Sequence, residues 1–154
     1  MHTNTQSAYV FEIVLHPRPS GALAGVVWSD GMGDWPTLEV PRSTSGEPMT
    51  IVFDKAFERL GGLERMYTEP DGSFVWVGPG GGTQWQIDGN AAEKDSRVLL
   101  AELKGNCPPE ALDRLLGAFG WPEQSVMMQL VRAGVFLDEE TFRRHATARA
   151  AAGN

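Results

Sequence analysis

One tight turn constrains the fold more than any other feature of this sequence. Glu69-Pro70-Asp71-Gly72 separates two runs of strand-forming residues, 63–68 and 73–77. Proline presets φ at the first corner of a β-turn, aspartate suits the second corner, and glycine takes the left-handed position that follows. The pattern predicts a β-hairpin, and the chain must therefore build a sheet around it.

Further strand patterns lie on both sides of this hairpin. Residues 9–15 are a run of apolar and β-branched residues that stops at two prolines. Residues 85–88 and 98–104 are expected to extend the hairpin into an antiparallel meander of about four strands. The remaining elements expected in this half are a strand over 21–28, a long and partly ordered loop over 29–48, a short strand over 37–40 and a brief helix over 55–60 capped by Asp54.

The sequence changes character near Cys107. A proline pair opens a predicted helix over 108–119, a second helix is expected over 122–133, and Asp138 caps a third over 139–148. The predicted fold class is α+β, an antiparallel, Trp-rich β-meander packed against a C-terminal layer of about three helices.

The length of 154 residues predicts a single domain over residues 1–150. Within it we expect a β-rich part over 8–105 and a helical part over 107–149. Residues 150–154 are expected to form a frayed tail.

Composition limits the compartment and the partners. The chain has 13 Lys and Arg against 20 Asp and Glu, a net charge of −7, and such a field repels nucleic acid and anionic lipid. The single cysteine, Cys107, excludes an internal disulfide and cysteine-based zinc cages. Residues 1–7 lack the pattern of a secretory signal, and the most apolar window, 22–28, is too short to span a membrane. We therefore expect a cytoplasmic protein that binds neither nucleic acid nor membrane.

Two neighbouring strand patterns carry the residues best suited to catalysis. Asp88 lies on one, and Glu102 and Lys104 share a face of the next with Val98 and Leu100, because strand side chains alternate with period two. Two such carboxylates can hold Mg²⁺ together with water and a substrate phosphate. The ion would activate water, and the lysine would stabilise developing negative charge. Asp88, Glu102 and Lys104 are thus the candidate catalytic residues, with Asp88 and Glu102 as candidate metal ligands.

This arrangement resembles the hairpin of the PD-(D/E)xK nuclease superfamily, which has an aspartate on one strand and an acidic-x-Lys triplet on the next. The resemblance covers residues 86–104, with thirteen residues between the two carboxylates. It implies a metal-dependent phosphodiesterase with Mg²⁺ as cofactor and a further acidic residue from an upstream helix, for which Glu58 is the match. After Lys104 the sequence predicts only helices, whereas that family usually adds a strand. The simpler interpretation of Asp88, Glu102 and Lys104 is a strand that ends in solvated charges.

Tryptophans form the second group of candidates. Trp76 and Trp85 flank the Gly-rich connector 78–83 and could stack either as a ligand platform or as core. Trp28 and Trp35 bracket residues 29–34, where an exposed ring would indicate binding and a buried ring a plug. Trp76, Trp85 and Trp35 are therefore the candidate binding residues.

No complete catalytic signature accompanies these groups. The connector 78–83 lacks the Lys-Ser/Thr of a phosphate-binding loop and is expected to be a flexible link between strands. His145, beside two arginines, is expected on a solvated helix face. The leading hypothesis is a binding or regulatory module without catalysis, whose partner is an unknown protein or small molecule. The alternative is the metal-dependent phosphodiesterase.

Overall fold

The computed structural model of the chain describes residues 8–80 and 84–153. Within these residues the fold is α+β, with one nine-stranded antiparallel sheet, a separate two-stranded hairpin and three α-helices. The predictions made for residues 1–7 and for the middle of the Gly-rich connector, 81–83, lie outside the described residues.

The described chain contains eleven strands, three α-helices and a 3-10 helix over Arg42–Thr44. Their bounds are β1 Tyr9–Pro17, β2 Leu23–Ala24, β3 Trp28–Asp30, β4 Gly33–Trp35, β5 Leu38–Glu39, α1 Phe53–Gly61, β6 Met66–Thr68, β7 Ser73–Val77, β8 Gln86–Lys94, β9 Arg97–Cys107, α2 Pro109–Ala118, β10 Val126–Leu130, β11 Phe136–Asp138 and α3 Glu139–Ala152.

The predicted meander is confirmed as β6–β9, four consecutive strands at one side of the sheet. The full strand order is β2-β5-β11-β10-β1-β9-β8-β7-β6. The turn before β7 forms as its residues predict, because the Glu69 amide donates to the Ser73 carbonyl at 2.9 Å and Gly72 adopts φ +101°. The meander is joined by β1, which pairs with β9 on one side and β10 on the other.

The prediction of a helix over 122–133 is wrong, because this segment contains β10. Both faces of β10 are covered, and Val126, Met127, Met128 and Leu130 are all buried. A strand buried on both faces reads as a continuous apolar run, which also satisfies the helical spacing. The part predicted to be helical therefore contains β10 and β11, and the C-terminal helices are two rather than three.

The helices all pack on one face of the sheet. Phe142 of α3 meets Phe11 edge to face at 5.7 Å, and Phe57 of α1 meets Phe74 at 6.1 Å. Arg114 of α2 lies over the Trp76 ring at 5.7 Å. Because side chains alternate along each strand, this side collects the core and leaves the opposite side of the sheet without helices.

The helix ends agree only in part with those predicted from the sequence. Asp138 caps α3 as predicted, accepting the Thr141 amide at 2.7 Å, but α3 continues to Ala152 through most of the expected frayed tail. Asp54 is not the cap of α1. The helix begins one residue earlier, at Phe53, and Asp54 lies in its first turn, where a carboxylate faces the positive end of the helix dipole.

The expected long loop over 29–48 is more ordered than its turn-forming residues suggest. It contains most of the β3–β4 hairpin and all of β5, and the strand expected over 21–28 shrinks to the two residues of β2. Within the described ranges, no helix is both long and apolar enough to cross a membrane.

Candidate functional site

The side of the sheet that the helices leave uncovered is here called the open face. Across the β8–β9 ladder Asp88 lies opposite Lys104 and Asn90 opposite Glu102, and across the β1–β9 ladder Glu12 lies opposite the same Lys104. These five side chains therefore share the open face. Together with β-strand backbone they line a shallow depression of about 460 Å³.

A β-bulge in β9 changes which side chains lie on the open face. The β8–β9 register shifts between Ala92 and Glu93, where Ala92 faces Leu100 and Glu93 faces Val98. Leu99 is the extra residue, so Val98 turns into the core and is fully buried, while Leu100 stays half-buried on the open face. The expectation that Val98 shares a face with Glu102 and Lys104 is therefore wrong, whereas it holds for Leu100.

The charges on the open face are unbalanced. Glu12, Asp88 and Glu102 surround the single ammonium group of Lys104, and among the described residues none of them forms an ion pair with it. Asp88 instead accepts a hydrogen bond from the side chain of Gln86 at 2.9 Å. Asp88, Glu102 and Lys104 are all exposed. The depression thus presents excess negative charge to solvent.

The fit of a divalent metal to this face rests on two carboxylates. Asp88 and Glu102 are diagonal neighbours, for which β-geometry gives a separation of about 7–8 Å at the backbone. In the part of the chain that the structure describes, no group of three or more His, Cys, Asp or Glu side chains is placed to hold a metal. Glu58 cannot complete such a group, because it lies on α1, beyond the opposite face of the sheet, and pairs with Lys55 at 3.4 Å.

The three candidate tryptophans occupy different environments. Trp76 is fully buried, donates its indole N–H to the Glu64 carbonyl at 2.8 Å and meets the half-buried Trp85 edge to face at 4.9 Å. The interpretation of Trp76 as a core residue is therefore confirmed, and only Trp85 of this pair keeps an exposed surface. Trp35 is buried as well, as expected if its ring is a plug rather than an exposed binding surface.

A cluster around Asp30 and His145 was not predicted. The Asp30 carboxylate accepts from the Trp35 indole at 2.9 Å and lies 3.0 Å from Nε2 of His145. The rings of Trp28 and Trp35 lie 5.6 and 4.9 Å from the His145 ring. His145 is 5% exposed, so the expectation of a solvated helix face is wrong for this residue. Through the contacts of His145, the cluster packs the β3–β4 hairpin against α3.

Asp30 is held in its charged form. Desolvation alone would raise its pKa, but hydrogen bonds from Trp35, Met32 and His145 outweigh burial and lower the pKa below its usual value. The sequence carries a partial signal for this site, because Trp28 and Trp35 are paired across the hairpin whose turn Asp30 begins. His145 is 115 residues away, and no local pattern connects it to the hairpin.

Comparison with known proteins assigns no family to the chain. No family model, curated protein or solved structure matches it. The function is therefore argued from the geometry of the open face and its surroundings.

Proposed function

We propose that the protein is a non-catalytic binding module of the cytoplasm whose open face binds a positively charged segment of a partner protein. The observation that carries the proposal is the charge around the central depression of this face, where Glu12, Asp88 and Glu102 share one lysine and leave a net negative surface. Charge complementarity of this kind steers association and selects the partner.

The shape of the open face also supports a binding role. Its central depression is lined by strand residues of β1, β8 and β9, which form a rigid platform with exposed polar side chains. Val14 and Val131 add apolar surface at the margin. A rigid, half-polar surface loses little conformational entropy when a partner binds, which favours a binding role.

Nuclear magnetic resonance with pooled peptides tests this proposal. The probes are peptides of random sequence that carry two fixed lysines, compared with pools that carry two fixed aspartates. We expect the lysine pools to shift the backbone amide signals of Asp88, Asn90 and Glu102. No shift at these residues, or equal shifts with the aspartate pools, would contradict the proposal.

A matched pair of variants separates the open face from general attraction to an acidic protein. Asp88→Asn with Glu102→Gln removes two charges from the face, and Glu58→Gln with Glu69→Gln removes two exposed charges elsewhere. Both variants have the same net charge. Only the first is expected to lose binding of the lysine pools, by about tenfold or more if two charge contacts are lost.

The metal-dependent phosphodiesterase remains a second candidate because of one specific observation. Asp88 is directly opposite Lys104, and Glu102 is two residues along on the same face, so the aspartate and the acidic-x-Lys triplet that the resemblance rests on lie on paired strands. Mg²⁺ is the ion such a pair would take, with water and a phosphate as its other ligands.

Thermal unfolding with and without metal decides this second candidate. Mg²⁺ or Mn²⁺ that binds the folded state raises Tm. The candidate predicts a rise for the parent protein and for Glu58→Gln, and none for Glu102→Gln. Absence of any metal-dependent shift, or a shift that survives in Glu102→Gln, would remove the phosphodiesterase from consideration.

A further inference from the structure

The N-terminal half of β1 has one unpaired edge. β1 pairs with β9 from Tyr9 to Leu15, but with β10 only from Ile13 onward, because β10 ends at Leu130. The last contact on that side is a hydrogen bond from the Val131 amide to the Glu12 carbonyl at 3.2 Å. The sheet therefore loses a neighbour of β1 partway along the strand.

Strand geometry shows which backbone groups this leaves free. The N–H and C=O groups of alternate residues point to opposite sides of a strand, so Val10 points to the same side as Glu12 and away from β9. Among the described residues, nothing bonds the N–H or C=O of Val10 or the N–H of Glu12. Such a row of free donors and acceptors is the template to which an extended chain adds.

A cavity lies at this edge. Its volume is about 230 Å³, and its lining includes Glu12 from β1, Trp28 and Met32 from the hairpin, and Val131 from the turn after β10. Trp28 and Met32 are half-buried, and Val131 is 47% exposed. An apolar side chain of an added strand would find contact surface here.

The charge of the cavity favours an anionic group. Arg132 and Arg149 line it, and neither forms an ion pair with any described residue. Of the two acidic residues of the lining, Asp30 is bonded by the hairpin and His145, whereas Glu12 lies opposite Lys104 on the open face and forms no ion pair with any described residue. Two guanidinium groups without partners match a carboxylate.

We propose that the free edge of β1 binds an extended, acidic peptide segment of a partner protein, which pairs with Val10 and Glu12 and directs a carboxylate to Arg132 and Arg149. The free stretch of Tyr9–Glu12 is four residues, about 13 Å of strand at the usual rise per residue. This site adjoins the depression on the open face and shares Glu12 and Val131 with it, but it offers a free backbone edge and binds a charge of the opposite sign.

The test uses peptide pools of random sequence with one fixed aspartate, blocked at both ends, and a second set with a free C-terminal carboxylate and no aspartate. Nuclear magnetic resonance of the full chain reports which amides shift. We expect the signals of Val10 and Arg149, which lie outside the depression of the open face, to shift with one or both sets, and the comparison shows whether the carboxylate comes from a side chain or a chain end. Equal shifts with pools that carry lysine instead of aspartate, or no shift at these residues, would overturn the proposal.

Backbone pairing is tested by Val10→Pro, with Val10→Thr as control. Proline removes the outward N–H of Val10 and spares the bonds to β9, which the neighbours Tyr9 and Phe11 make, and proline is tolerated on strand edges for this reason. We expect Val10→Pro to weaken peptide binding about tenfold, and Val10→Thr to retain it. Peptide binding that is unchanged in a folded Val10→Pro variant would overturn strand addition. Arg149→Gln is expected to weaken the acidic pools selectively, and an unchanged affinity would overturn the assigned role of the guanidinium.

Discussion

Removal of the Asp30 carboxylate is the most informative perturbation of the hairpin. The Asp30 side chain accepts hydrogen bonds from the Met32 amide at 2.9 Å, the Gly33 amide at 3.1 Å and the Trp35 indole at 2.9 Å, and it contacts His145 at 3.0 Å. Asp30→Ala leaves all four partners without an acceptor. Asp30→Asn keeps an oxygen for three of them and loses mainly the negative charge.

The burial of these partners sets the expected magnitude. Trp35 and His145 are 6% and 5% exposed, and a buried donor left without a partner costs about 1–3 kcal/mol. The amides of Met32 and Gly33 are half-buried, so water replaces part of what they lose. We expect Asp30→Ala to lower the free energy of unfolding by about 3–4 kcal/mol, and Asp30→Asn by about 1 kcal/mol.

Guanidinium unfolding followed by far-ultraviolet circular dichroism measures both values, because this signal does not depend on the tryptophans of the cluster. Asp34→Ala is the control within the same hairpin. Asp34 is exposed and accepts only from Ser29 at 2.6 Å, so its loss should cost about 0.5 kcal/mol or less. A loss of under about 1 kcal/mol for Asp30→Ala, or equal losses for alanine and asparagine, would refute the reasoning.

Three further predictions follow from burial. Gly89→Ala should lower stability by about 1–3 kcal/mol in chemical unfolding, because its Cβ would lie 2.1 Å from the buried Phe74 ring, whereas Gly117→Ala, with open space around it, should be neutral or stabilising. Burial raises the pKa of Cys107 to about 12, so a thiol reagent should modify it only after unfolding, and rapid modification of the folded protein would contradict this. Burial also lowers the pKa of His16 below 6.5, because its effect outweighs that of the side-chain hydrogen bond. As the pH drops below about 6.5 the unfolded state therefore binds a proton first, and the free energy of unfolding should fall. In unfolding experiments at pH 5–7, His16→Gln should flatten this dependence.

The part of the fold that could be predicted is the part with local signals. Glu69-Pro70-Asp71-Gly72 defines its turn through backbone preferences within four residues, and β6–β9 follow it in sequence order. Such consecutive strands need no knowledge of distant residues. In contrast, β1 lies between β9 and β10, so its two neighbours come from residues about 90 to 120 positions later.

The error at β10 has a physical cause that sequence spacing alone does not resolve. Val126, Met127 and Leu130 fit one face of a helix, and the same residues fit a strand that is covered on both sides. The cover of both faces is set by the tertiary structure, in which the helical layer packs on one face and residues 40–47 line a cavity with Met127 on the other. The same reason explains His145, whose burial depends on a hairpin 115 residues away.

The candidate catalytic residues were grouped correctly on one face because the alternation from Asp88 along β8 and from Lys104 back to Leu100 along β9 is regular. It fails at the bulge opposite Ala92 and Glu93, where one additional residue on β9 turns Val98 into the core. Because of the bulge, even-numbered residues of β9 lie on both faces of the sheet. Val98 is in the core, whereas Glu102 and Lys104 are on the open face. Deletion of Leu99 removes the extra residue, so Val98 and Leu100 become consecutive, and a regular ladder keeps Val98 in the core and Glu102 and Lys104 on the open face. The charged surface of the open face therefore depends on the regular register between Asp88 and Lys104 and on the acidic residues themselves, and the bulge decides only the face on which Val98 lies.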